Sequence, residues 1–258
     1  VSWLEIRDEG QIRWMVLDRP ERRNAVPPDG WGQLAEEFAR FEGSEARVLV
    51  VTGAGGAFCS GADLDPSATP GEGVVARHQR MKLIGEAATR LHRLSKPTIA
   101  AVDGVAVGAG MNLALGCDVV LASTRARFAE IFVRRGLTVD FGGSWLLPRV
   151  VGIQRAKELA LSGRMVGADE ALRLGLCMEV VEPERLVERT REVASGFLEG
   201  APVAQMLAKR CLDRSWELSF EQALAWEGQA QAICFQTEDV AEGIAAFLEK
   251  RTPRWQGR

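Results

Sequence analysis

The sequence predicts an α/β protein: strands and helices alternate over roughly residues 1–195, and an all-helical stretch follows over 196–258. Two observations carry this. The apolar runs Arg47–Thr52 and Thr98–Val102 each enter a glycine-rich turn, GAGGAFCSGADL (Gly53–Leu64) and GVAVGAGMNLALGCD (Gly104–Asp118), and each turn leads toward a helix. From Gln154 onward the apolar spacing becomes helical.

The elements follow in chain order. Leu4 and Ile6, then Ile12, Trp14 and Val16, alternate around Asp8-Glu9-Gly10 and predict a hairpin. Trp31, Leu34, Phe38 and Phe41 lie on one helical face, and Pro27-Pro28 marks that helix's start. Val48–Val51 reads as a buried strand. Pro66–Gly73 is rich in turn residues and is expected to be a lid or a plain surface loop. Met81–Leu94 predicts a helix that stops before Pro97. The second glycine turn gives strand, turn, helix and strand through Val119–Ala122, and a helix is expected over Ser144–Val150. Further helices are expected near Arg155–Leu161, Asp169–Leu174, Pro183–Leu198 and Val203–Arg214. A long one over Phe220–Lys250 should break near Thr237 or Gly243.

Composition excludes several classes. The formal net charge of -3 gives no basic field for nucleic acid. The apolar region Thr98–Ala122 is interrupted by Asp103, Asn112 and Asp118, so a membrane span is not expected. Five cysteines with no CxxC pair predict reduced thiols, no zinc site and a cytoplasmic setting, and the first residues lack a signal-peptide pattern. Neither a phosphate-binding lysine loop nor a dinucleotide fingerprint is present, so no separate cofactor and no metal are expected.

The chemistry suggested by the two glycine turns is acyl chemistry. Glycine lets a backbone approach a ligand closely, and a helix start offers free N–H groups at the positive end of its dipole. Two such turns facing each other would aim two donors at one developing oxyanion. Ser60 is not in a GxSxG elbow and has no histidine partner, which argues against a serine nucleophile. His92 is expected to be a packing or surface residue, and His78 either that or part of an acyl pocket.

The segments GAFCSGADL, AAVDGVAVGAGMNLALGCDVVLAS and GLTVDFGGSWLLPRVVG, with DRPERRNA near the start and EGIAAFLEKRTPRWQG near the end, resemble the crotonase superfamily of enoyl-CoA hydratases and isomerases. The resemblance spans Leu4 to Gly257. It implies a spiral of ββα units that binds acyl-coenzyme A, followed by a helical region used for trimerisation, in homotrimers or dimers of trimers. It assigns the oxyanion-hole N–H groups to Ser60 and Ala109, with Gly108 beside the substrate. It places Arg22 and Arg23 on the nucleotide phosphates. Ala25 and the backbone of Ala62, Asp63 and Leu64 would frame adenine and pantetheine. Phe247 and Lys250 would reach the nucleotide of a neighbouring subunit. Coenzyme A enters as part of the substrate.

Hydratases of this family use two glutamates, and at the matching positions this chain has Asn112 and Phe132. Asp140, in GLTVDFGGSW, matches an aspartate found in members that shift a double bond and in a branch that uses it as a nucleophile. Taken without the resemblance, Asp140 reads first as a helix N-cap. Phe132, Phe141 and Trp145 are candidates for an apolar wall that raises the carboxyl's pKa. Glu130, two residues before Phe132, is the competing carboxylate if the segment is extended, and a surface or interface salt bridge otherwise. Three readings stay open: a double-bond shift with Asp140 as proton shuttle, foremost; another reaction of the family, such as hydration, thioester hydrolysis or displacement; and a non-catalytic acyl-CoA binder.

Overall fold

The computed structural model describes residues 3–64 and 73–258. The expected lid segment therefore lies, except for Gly73, outside the described residues. The chain begins with the antiparallel hairpin β1 (Leu4–Glu9) and β2 (Ile12–Leu17). There follow α1 (Gly30–Glu42), β3 (Val48–Gly53), α2 (Val74–His92), β4 (Thr98–Val102), β5 (Val105–Val107), α3 (Ala109–Leu115), β6 (Val119–Ser123) and β7 (Arg127–Ala129). After a 3-10 turn at Ile131–Arg135 come α4 (Gly143–Val151), α5 (Ile153–Ser162), β8 (Val166–Gly167), α6 (Ala168–Leu174) and β9 (Glu179–Val181). The helices α7 (Leu186–Leu198), α8 (Pro202–Arg214), α9 (Phe220–Cys234) and α10 (Glu238–Glu249) complete the chain.

Strands β1-β2-β3-β4-β6-β9 form the main sheet, parallel from β2 onward, and β5-β7-β8 form a second, smaller one. Successive strand pairs β4–β5 and β6–β7 give one strand to each sheet, which is the expected spiral of ββα units. Period-two alternation sorts the side chains. Met15, Val51, Ala100 and Val120 are aligned across the sheet and join the larger core with α1, α2 and α3. Trp14, Val50, Ile99 and Leu121 point the other way and are covered by α7 through Leu186 and Ala194. Each fully buried Val, Ile, Leu or Met side chain among these contributes about 1.5–3 kcal/mol by burial.

Two boundaries differ from the sequence reading, and the break in the last long helix falls at one of the two expected places. Helix α2 starts at Val74 rather than Met81, because its exposed first turns carry no apolar face and only Ile84, Ala87 and Leu91 are buried. The division at residues 195/196 falls inside α7, whose packing on β3, β4 and β6 runs to Phe197 and Leu198. The long C-terminal helix breaks at Thr237, which caps α10 in extended conformation. Helix α9 has no buried residue, and Phe220, Trp226, Ile233 and Phe235 are exposed on it or beside it.

The turn before the first glycine segment is braced by a residue that sequence reasoning did not single out. Arg23 and Asn24 are both left-handed, at φ 50° and 57°, and Asn24 is fully buried. The Asn24 Oδ1 accepts from the Arg19 N–H at 2.8 Å, and its Nδ2 donates to the carbonyls of Ala54 and Ala57 at 2.9 and 2.7 Å. Asn24→Ala would leave buried groups unpaired and is expected to cost about 3 kcal/mol, read as a lowered midpoint in urea unfolding.

Candidate active site

The two glycine turns meet. Phe58 and Cys59 donate their N–H groups to the Val105 carbonyl at 3.1 and 2.9 Å, and the Val107 N–H donates to the Cys59 carbonyl at 3.0 Å. On the other side of the first turn, Val26 donates to the Gly61 carbonyl and accepts from the Asp63 N–H, at 2.9 and 2.8 Å. In this parallel bridge the N–H of Ala62, between those two residues, points away from Val26. It has no partner among the described residues. Gly61 lies against the start of α3: a Cβ there would stand 3.0 Å from the Val107 carbonyl and 3.5 Å from the Ala109 nitrogen.

Ala109 is the first residue of α3, so its N–H has no acceptor within the helix. The Ser60 N–H, by contrast, donates to the Arg23 carbonyl at 3.0 Å, and its hydroxyl bonds the Arg22 carbonyl. This corrects the expectation for Ser60: its amide is spent on holding the Arg22–Asn24 turn. On the two facing turns, Ala62 and Ala109 each present an N–H with no acceptor among the described residues.

One helical turn after Ala109, Asn112 is fully buried. Its Nδ2 lies 3.0 Å from the main-chain carbonyl of Asp140 and 3.4 Å from Oε2 of Glu130. The structure thus brings Asn112, Glu130 and Asp140 into one cluster. Strand β7 ends at Ala129, and Glu130 starts the 3-10 turn instead of extending the strand, yet it is fully buried and makes no ion pair among the described residues. The surface salt-bridge alternative for it is therefore overturned. Three oxygens of the cluster are buried without a partner: Asn112 Oδ1, Glu130 Oε1 and Asp140 Oδ1. Burial raises the Asp140 carboxyl to about 6. Burial raises Glu130 to about 8, with the Asp140 charge pushing in the same direction and the Asn112 bond pulling down.

Asp140 is not a helix cap. Gly142 occupies that position in α4, no side chain caps it, and it is the main-chain oxygen of Asp140 that accepts from Gly143 at 2.9 Å. Between them, Phe141 is left-handed at φ 48° and packs on Trp31 with ring centroids 5.4 Å apart. Phe132 packs over Gly108. Trp145 faces elsewhere: Arg149 lies over its ring at 3.7 Å and His92 meets its edge at 5.0 Å. It stands apart from the expected wall, and His92 is a packing residue. His78 is exposed.

Arg22 and Arg23 are exposed and have no ion-pair partner among the described residues. Nearby, Arg19 bonds the Ala25 carbonyl at 2.9 Å and pairs with Asp63 at 3.0 Å, which ties Ala25 to the Ala62–Leu64 segment. Phe247 is 83 % exposed, and Lys250 is the left-handed cap of α10; among the described residues neither bonds to the Asn112 cluster.

Comparison with known proteins supplies the family. Residues 7–258 match the enoyl-CoA hydratase/isomerase family. The short-chain-enoyl-CoA hydratase of Clostridium acetobutylicum is 36 % identical over 95 % of this chain and 94 % of its own. The 1,2-epoxyphenylacetyl-CoA isomerase of Escherichia coli is also 36 % identical, over 97 % of each chain. The solved enoyl-CoA hydratase of Bacillus anthracis superposes with a TM-score of 0.95 at 31 % identity, covering all of both chains. With the facing glycine turns, the free α3 start and the matching fold, the chain is an acyl-CoA-metabolising member of the enoyl-CoA hydratase/isomerase family.

Proposed function

We propose that this enzyme moves a carbon–carbon double bond along the acyl chain of an enoyl-CoA thioester, with Asp140 as the proton shuttle. The observation that carries the reading is the half-buried Asp140, which keeps one buried carboxylate oxygen without a partner among the described residues and whose main-chain carbonyl bonds Asn112, one helical turn after Ala109; the two hydratase glutamate positions hold Asn112 and Phe132. Hydratase names predominate among the relatives, and the preference for isomerisation rests on these residues.

In this reading the thioester oxygen accepts hydrogen bonds from the Ala62 and Ala109 N–H groups. Asp140 takes a proton from the α-carbon of a 3-enoyl thioester. The electron pair spreads into a dienolate whose oxyanion is held by the two amides. Asp140 then returns the proton to the γ-carbon, giving the 2-enoyl isomer. Atoms and electrons balance, and no redox cofactor is called for. A carboxyl raised to about 6 is a stronger base than an exposed one and is still ionised at neutral pH. The apolar side chains of Phe141 and Trp31 maintain that environment.

Arg22 and Arg23, exposed and unpaired, suit the nucleotide phosphates. The Arg22→Ala/Arg23→Ala double variant is expected to raise KM about tenfold, or ~1.4 kcal/mol, with kcat unchanged. Initial-rate kinetics at two salt concentrations checks this, since screening should shrink the difference. The same reading makes the exposed apolar surface of α9 and α10 a contact between copies in a homotrimer or dimer of trimers, so that Phe247 and Lys250 reach a neighbour's nucleotide.

One observation favours a second reading. Glu130 gives the site two carboxylates of unequal acidity, the kind of pair that hydration uses to activate and deliver water. Paired 3-enoyl-CoA and 2-enoyl-CoA assays separate the two, because isomerisation of the 3-enoyl thioester leaves its mass unchanged and hydration of the 2-enoyl thioester adds one water.

A further inference from the structure

The Asn112 amide has two N–H bonds, and the cluster takes both. One is directed at the Asp140 carbonyl at 3.0 Å and the other at Glu130 Oε2 at 3.4 Å. Turning the amide over would set its oxygen against the Asp140 carbonyl, an obligate acceptor, so that carbonyl fixes its orientation. The turn it supports is costly. Phe141 and Gly142 are successively left-handed, at φ 48° and 80°, and only glycine adopts that region freely. Gly143 follows with no space for a side chain, since a Cβ there would overlap the Asn112 amide. The amide is thus wedged between Glu130 and the Asp140–Gly143 turn.

We propose that Glu130 is a positioning residue that acts through Asn112 to hold the Asp140 turn in its left-handed form. The inference rests on the reading of Asp140 as the catalytic base. Glu130 has no exposed surface and no cation beside it, so its neutral form is the one that fits. Around it stand Asn112 from α3, Asp140 from the loop and Gly163 from the end of α5. Arg134, on its own 3-10 turn, donates instead to the Ser162 carbonyl at 3.1 Å. Asp140 is the charged group that acts on it. With burial holding Glu130 near 8, it keeps its proton at neutral pH while Asp140 is ionised. Above that pH two like charges face each other across one amide, and the wedge loosens.

The test is kcat and KM for 3-enoyl-CoA isomerisation from pH 5 to 10 in the wild type, Glu130→Gln and Glu130→Ala. Glu130→Gln keeps a neutral side chain with an acceptor. It should retain kcat within about threefold at pH 7 and lose the fall in rate near pH 8, while the rise near pH 6 that belongs to Asp140 stays. Glu130→Ala removes the acceptor and should lower kcat ten- to a hundredfold with KM within twofold. A hundredfold loss in Glu130→Gln at pH 7 would mean that Glu130 passes its own proton and is catalytic, overturning the proposal. An unaltered kcat in Glu130→Ala would overturn it as well.

A second measurement needs no turnover. The Gly143 N–H donates to the Asp140 carbonyl, so its amide NMR resonance reports the turn. It should titrate near pH 8 in the wild type and stay fixed there in Glu130→Gln. The same titration in both would sink the positioning role even if Glu130→Ala failed to fold. Absence of isomerisation in the wild type, by contrast, defeats the reading of Asp140 and leaves this resonance to judge Glu130.

Discussion

Asp140→Asn is expected to lower the rate of double-bond migration by about 10²–10⁴-fold, the range found when a positioned acid–base group is removed. Asparagine has nearly the same shape and leaves the main-chain carbonyl of residue 140 to Asn112, so the turn and the fold should survive. What it removes is the ability to take a proton from carbon. KM for the thioester should change little, because the coenzyme A grip is assigned to the loops around Arg22 and Ala62. The pH dependence gives an independent check. Burial raises the Asp140 carboxyl to about 6, and a base works only when ionised, so wild-type kcat/KM for the free enzyme should rise with pH through about 6. The residual rate of Asp140→Asn should show no such rise. A variant with full rate, or one with the same acid limb, would remove Asp140 from the chemistry.

Ala109→Pro should be nearly as damaging for a different reason. Ala109 is the first residue of α3, where proline is tolerated because the N–H has no helical acceptor and the backbone angle is already suited. The substitution deletes one N–H and little else from the helix, and the proline ring occupies the space where the oxyanion would sit. Loss of one oxyanion donor costs about 2.7–4 kcal/mol of transition-state stabilisation, or about 10²–10³ in kcat. Far-UV circular dichroism should be unchanged, which separates a missing donor from a missing helix. A rate within threefold of wild type would mean that the α3 start does not hold the oxyanion.

Much of the fold was legible because its cues are local. Alternation gave the β1–β2 hairpin, the spacing of Trp31, Leu34, Phe38 and Phe41 gave α1, and Thr237 marked the break before α10. On the first turn the amide left without a partner among the described residues stands two positions beyond Ser60. Which amide of Ser60-Gly61-Ala62 faces inward is set by a bridge to Val26, more than thirty residues away, and by the use of the Ser60 N–H on Arg23. Motif order carries no information about that pairing. Asn24 was hidden similarly: it stands in a stretch of charged residues, and only the fold reveals that its side chain is fully buried and makes three hydrogen bonds.

Glu130 illustrates the complementary difficulty. Its proximity in sequence to Phe132 suggested that both would share one face if the strand continued. The strand stops at Ala129, and the 3-10 turn carries Glu130 into the core beside Asn112 by a different route. A charged residue type is read as exposed by default, so full burial of an unpaired glutamate is visible only in three dimensions. The same holds for Trp145, whose apolar ring is taken up by Arg149 and His92 rather than by the site.

The most direct test of the central claim is to incubate the enzyme with a 3-enoyl-CoA thioester in heavy water and follow the product by mass spectrometry and NMR. Double-bond migration by Asp140 predicts a 2-enoyl product with deuterium confined to the α- and γ-carbons, and no such product from Asp140→Asn. A 3-enoyl thioester recovered unchanged and without deuterium, or a 2-enoyl product formed equally well by Asp140→Asn, would contradict it.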